Sequence, residues 1–91
     1  MGVYRTLATL AYEAAKARDM SRAAMFAYLL ERAWDDGGSE LKKSARDTWR
    51  QIDSSMDKLI FPIISDKYLR LNSDQLDEAY RKYLQSLSLA D

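Results

Sequence analysis

Neither cysteine nor histidine occurs anywhere in the 91 residues. Without cysteine, no disulfide supports the small core of so short a chain, and no thiolate serves as nucleophile or zinc ligand. Without histidine there is no imidazole base for a serine nucleophile and no pH switch near neutrality. Charge of one sign is not in excess either: fourteen basic residues face fourteen acidic ones. A neutral chain has no global field to steer it toward nucleic acid or an anionic membrane. Long apolar runs are also missing. The most hydrophobic stretch, Leu59 to Ile64, falls far short of the ~20 residues a membrane span needs. The amino-terminal stretch MGVYRTLATLAYEAAK has no long apolar centre before a small-residue cleavage site, so no signal peptide is read and a soluble, cytoplasmic protein is expected.

These absences leave paired carboxylates as the one route to catalysis. The groupings are Asp35 with Asp36, Asp53 with Asp57, and Asp74 with Asp77 and Glu78. A general acid needs a carboxyl whose pKa is raised by burial. Asp53 and Asp57 share a helix face that points away from Trp49 and Ile52, toward water. The expectation is that the protein is not an enzyme and uses no cofactor. The acidic stretch Asp35-Asp36-Gly37-Gly38 resembles the start of a calcium loop, but position six is Glu40 and position twelve Arg46, where an EF-hand needs Gly and Glu. No metal is expected.

What is present is helical patterning. Ser21 to Trp34 is apolar or aromatic at ten of fourteen positions, with a narrow polar strip near Arg22, Glu31 and Arg32. A helix apolar nearly all round belongs in the middle of a bundle. Before it, Val3, Leu7, Leu10, Ala11 and Ala14 trace the stripe of a first helix over residues 3–18, with Arg5, Glu13 and Lys16 facing out. Asp19 or Ser21 is the N-cap between the two. Gly37 can take the left-handed conformation that closes the second helix, and Ser39 can open the next.

From Leu41, the series Ala45, Trp49, Ile52, Met56 and Leu59 predicts one face of a long third helix. Pro62 disfavours a helical Phe61 and removes a donor to the carbonyl of Lys58, so this helix ends or kinks there. A short further helix from Pro62 to Leu71 is an alternative. In the last helix Asn72 is the N-cap, Gln75 completes a capping box, and Leu71 and Leu76 form a hydrophobic staple. Its buried face is Leu76, Ala79, Tyr80, Tyr83, Leu84 and Leu87. Asp77 with Arg81 and Glu78 with Lys82 make (i, i+4) pairs on the other side, and the tail after Leu87 frays.

The positions of Leu7, Leu10, Ala11, Ala14, Ala23, Ala27 and Leu30 are similar in spacing to a tetratricopeptide hairpin. The similarity covers about a third of the chain, lacks the family's aromatic positions and terminal proline, and does not recur, so it implies a packed helix pair and no repeat array. The fold class expected for residues 1–91 is a single all-α domain, an antiparallel bundle of four main helices with a possible fifth after Pro62.

With catalysis set aside, the expected function is protein–protein interaction, as an assembly subunit, an adaptor or an occluding inhibitor, with a protein partner or a second copy. Six tyrosines and two tryptophans are many amphipathic rings for so small a core, and such rings favour interfaces. Tyr12 and Met25 fit the buried stripes least well, and Tyr28 and Leu29 fall on the far side of the second helix. These four are the candidate contact residues. The alternative is a helical nucleic-acid-binding protein, with Lys42, Arg46 and Arg50 at four-residue steps and Lys43 beside them. Asp47, Asp53 and Asp57 interrupt that stripe.

Overall fold

The structure, a computed structural model, describes residues 1–65 and 72–91. Among the described residues there are five helices and no strand: α1 (Gly2–Lys16), α2 (Met20–Gly37), α3 (Ser39–Ser44), α4 (Arg46–Ile64) and α5 (Ser73–Ser88). The four long helices close a ring in which α1 packs on α2, α2 on α4, α4 on α5 and α5 back on α1, with α3 leaning on α4.

Local chemistry accounts for most helix ends. α1 stops in a Schellman motif: the Asp19 amide reaches the Ala14 carbonyl (2.9 Å) and the Arg18 amide that of Ala15 (3.1 Å). Arg18 sits at φ 62° to make this turn, a conformation that costs most side chains about 1 kcal/mol. Of the two N-cap candidates it is Asp19 that caps α2, accepting from the Arg22 amide at 3.2 Å. Asn72 caps α5 as expected, accepting from the amides of Asp74 and Gln75 at 2.8 and 3.2 Å. The Gln75 side chain lies along the α4–α5 groove. Leu71, and with it the staple and the helix end expected after Pro62, lies outside the described residues.

Four expectations are corrected. The long third helix is two, because Ala45 adopts φ −148° and ψ 70° and so ends α3 and precedes α4. Pro62 is carried inside the last turn of α4, where the missing amide is one of few lost bonds; the helix runs on to Ile64 and the Ser65 amide bonds the Phe61 carbonyl at 3.1 Å. Gly37 and Gly38 do not adopt a left-handed backbone. Space is what they provide: a Cβ on Gly38 would stand 2.8 Å from the Trp34 carbonyl oxygen and 3.2 Å from its ring, and one on Gly37 would collide with the Tyr4 hydroxyl. The carboxyl-terminal tail is tied down, since Arg5 pairs with Asp91 at 2.5 Å and Ala90 packs on the core.

The core explains a fifth difference. α1 buries Ala8, Ala11, Ala14 and Ala15, and α2 buries Ala23, Ala27, Leu30 and Trp34. Val3 and Leu10, assigned to the buried stripe of α1, are exposed. Alanine lets two helix backbones approach closely, and that gain rotates α1 so that its alanines, not its leucines, meet α2. α4 and α5 supply the large side chains: Ile52, Met56, Leu59, Ile60 and Ile63 from one, Leu76, Tyr83 and Leu87 from the other. Each such burial stabilises by roughly 1.5–3 kcal/mol, as an upper estimate.

Candidate functional site

An aromatic cluster sets the rotation of α2. Trp34 is buried, meets Tyr4 edge-on (centroids 5.3 Å, 85° between planes) and stacks on Trp49 (6.1 Å, 14°). Its indole Nε1 donates to Asp53 Oδ1 at 3.0 Å. Asp53 is therefore half-buried and engaged with α2 rather than facing water as its register suggested. One indole thus ties α2 to both α1 and α4. With Trp34 inward, Ala23, Ala27 and Leu30 follow at helical spacing.

The opposite face of α2 is then forced outward. Met25, Tyr28 and Leu29 are 50, 57 and 46 % exposed. They occupy i, i+3 and i+4 of one helix, so their side chains are neighbours on one surface. The expectation that α2 is enclosed on several sides is overturned: α2 packs on α1 and α4 (and lightly on α3) and is open on its remaining side. Three of the four candidate contact residues come together here.

Tyr12 is not with them. It is half-buried between α1 and α5, its ring stacked on Tyr80 (4.0 Å, 4°), and its hydroxyl donates to Asp77 Oδ1 at 2.6 Å. Lys16 Nζ reaches the same oxygen at 3.0 Å. Asp77, expected to pair with Arg81 on its own helix, bridges to α1 instead, and Glu78 takes Arg81 (3.6 Å) and Lys82 (3.5 Å). The hydrogen bond from Tyr12, joined by that from Lys16, holds the Asp77 carboxyl below its ordinary range. The same bond to Asp77, together with burial, raises the Tyr12 phenol to about 12.

The four cations of the alternative reading are separated by the break at Ala45. Lys42 and Lys43 belong to α3, and Lys42 Nζ lies 4.5 Å over the Trp49 ring. Arg46 and Arg50 belong to α4. The continuous one-helix stripe expected from their spacing does not form. Arg50 instead joins Lys58 and Lys82 along a groove of about 760 Å³ between α4 and α5, floored by Ala79 and Leu89 and edged by serines and glutamines.

A second cavity, of about 650 Å³, lies where α2 meets the end of α4, lined by Glu31, Asp57, Lys58, Ile60, Phe61, Pro62 and Ile64. Burial, reinforced by the charges of Asp53 and Asp35, raises the Asp57 carboxyl above its usual range. This is the direction of shift a general acid requires. Phe61, 59 % exposed, gives the cavity an apolar wall beside Ile60, Pro62 and Ile64. Among the described residues no three carboxylates gather to hold a metal, and no helix is long and apolar enough to cross a membrane.

The apolarity of residues 21–34 was visible in the sequence, but which part of it faces out depended on Trp34 finding Asp53 on another helix. No family model matches the chain, and comparisons with curated proteins and with solved structures likewise return no match.

Proposed function

We propose that the protein is a small non-enzymatic interaction module that binds a protein partner through the outer face of α2. The observation that carries this reading is the set Met25, Tyr28 and Leu29, exposed on the face opposite Ala23, Ala27, Leu30 and Trp34. Methionine, tyrosine and arginine are enriched at interfaces, and Arg32 lies one turn beyond Tyr28 and Leu29. Exposing three large apolar residues side by side costs solubility and adds nothing to folding, which is the signature of a surface kept for contact. Occlusion of a partner, or a place in an assembly, requires no chemistry from this chain. The nucleic-acid alternative draws less support, because Lys42, Lys43, Arg46 and Arg50 no longer form one stripe that tracks a phosphate backbone.

The test is affinity capture from the native host with the wild-type chain and with a Tyr28→Glu, Leu29→Glu double variant. Both sites are exposed, so helical circular dichroism should be unchanged. The reading expects one protein, or a second copy of the chain, retained in stoichiometric amount by the wild type and lost from the double variant. Retention that survives the double substitution would sink it.

A further inference from the structure

We infer that the occupant of the α2 face is a second copy of this chain, bound through a two-fold axis beside Leu29 with the two α2 helices antiparallel. This inference rests on the interaction reading above and names its partner. The argument begins with the charges at the ends of α2. A helix is stabilised by acidic side chains in its first turn and basic ones in its last. α2 has neither. It carries the reverse: Arg22 in the first turn, and Asp35 and Asp36 in the last. All three are exposed. Arg22 has a loose pair with its own N-cap, Asp19, at 3.8 Å; among the described residues, Asp35 and Asp36 have no ion pair.

Two of those misplaced charges, Arg22 and Asp36, lie on the outward face, and their spacing is symmetric. Arg22, Met25, Leu29, Arg32 and Asp36 follow one another at steps of three and four, the seam of a helix that meets another helix. Arg22 and Asp36 stand seven residues to either side of Leu29, or about 10 Å each way along the axis. A second α2 running the other way over Leu29 sets the Arg22 of each copy against the Asp36 of the other. The same operation lays Leu29 on Leu29 and Met25 along the aliphatic stem of Arg32 of the other copy, with Tyr28 at the flank. An isologous contact needs a patch complementary to itself. An apolar centre with opposite charges at equal distances meets that need, and charges that oppose the dipole of their own helix complement the antiparallel one. The neutral net charge of the chain sets no long-range repulsion between copies. A contact made by one helix face is expected to bury less than the ~800 Å² per partner of a standard interface, so its dissociation constant is expected in the micromolar range, about 10 µM.

Sedimentation velocity across that range tests the geometry with two single variants, Arg22→Asp and Asp36→Arg. Each improves the charge complement of its own helix, so neither should unfold the monomer. Each homodimer brings like charges together at both ends, so each variant alone should lose dimer by ~10-fold or more in affinity. Mixed in equal amounts, the two variants restore both opposite-charge contacts, and dimer should return. A second measurement uses the absence of native cysteine: Leu29→Cys should oxidise to a covalent dimer ~10-fold faster than Leu10→Cys, which is exposed on α1. A wild type that stays monomeric, a mixture that does not re-dimerise, or equal cross-linking rates would each overturn the inference. The broader interaction reading survives that result if capture of a host protein is still abolished by the Tyr28→Glu, Leu29→Glu variant, and falls with it if capture is unaffected.

Discussion

The two helix pairs of the ring are built on opposite plans. α1 and α2 bring mainly alanine to their seam, so their backbones draw close and five of their large apolar side chains (Val3, Leu10, Met25, Tyr28 and Leu29) are left exposed. α4 and α5 meet through isoleucine, leucine, methionine and tyrosine, and what remains outside is a groove edged with serine, glutamine and lysine. A tight small-residue seam leaves more sticky surface along the helices; a bulky seam consumes more of it, with Phe61 and Leu89 left exposed. The pair with the smaller core contribution is therefore the one with surface to offer a partner.

The plainest way to break this contrast is to exchange the seams' failure modes. Leu59→Ala opens a cavity in the bulky seam, where Leu59 is fully buried, and should cost about 2–5 kcal/mol in urea unfolding. Ala27→Leu overfills the alanine seam and should cost about 1–3 kcal/mol, from strain rather than lost contact. Should Ala27→Leu prove neutral, the alanine seam is not closely packed and the account of why Leu29 and Leu10 face out fails with it.

A smaller effect, of opposite sign, is expected from Tyr83 in the bulky seam. Its hydroxyl is buried with no hydrogen-bond partner among the described residues, and burial pushes its phenol pKa up. Removing an unsatisfied polar atom is favourable, so Tyr83→Phe should raise stability by about 1 kcal/mol. A loss of stability in the same urea assay would mean that the hydroxyl has a partner after all.

The contact that closes the ring, between α1 and α5, follows neither plan, being a polar knot of Tyr12, Asp77 and Lys16. Because the folded Asp77 titrates below its unfolded value, its contribution is present above the ordinary carboxylate range and is lost as pH falls through the folded pKa. Because folded Tyr12 is raised to about 12, its contribution is complete below the ordinary phenol range and fades as pH climbs toward 12. Tyr12→Phe should remove the alkaline arm and shift Asp77 upward in a carboxyl NMR titration, with Lys16 still holding part of the depression. An unmoved Asp77 would show that the knot does not form.

Much of this was open to reading in the amino acids, and for a consistent reason. The helix start at Asn72, the choice of Asp19 or Ser21 for α2, and the face of Leu76, Tyr83 and Leu87 all depend on residues within one or two turns of each other. Met25, Tyr28 and Leu29 were recognisable as a surplus on the same basis. Tyr12 was not separable from them, because its partners Tyr80 and Asp77 are more than sixty residues away.

What the covalent order of residues settled is therefore local: helix, cap, turn and apolar period, each decided by neighbours a few bonds apart. Long-range packing settled the rest. It turned the alanines of α1 inward, drew Asp53 to Trp34 and Asp77 to α1, and pinned Asp91 to Arg5. Each of those outcomes is a competition between a local preference and a contact with a distant segment, and the spacing of residues along the chain does not carry the strength of the distant contact.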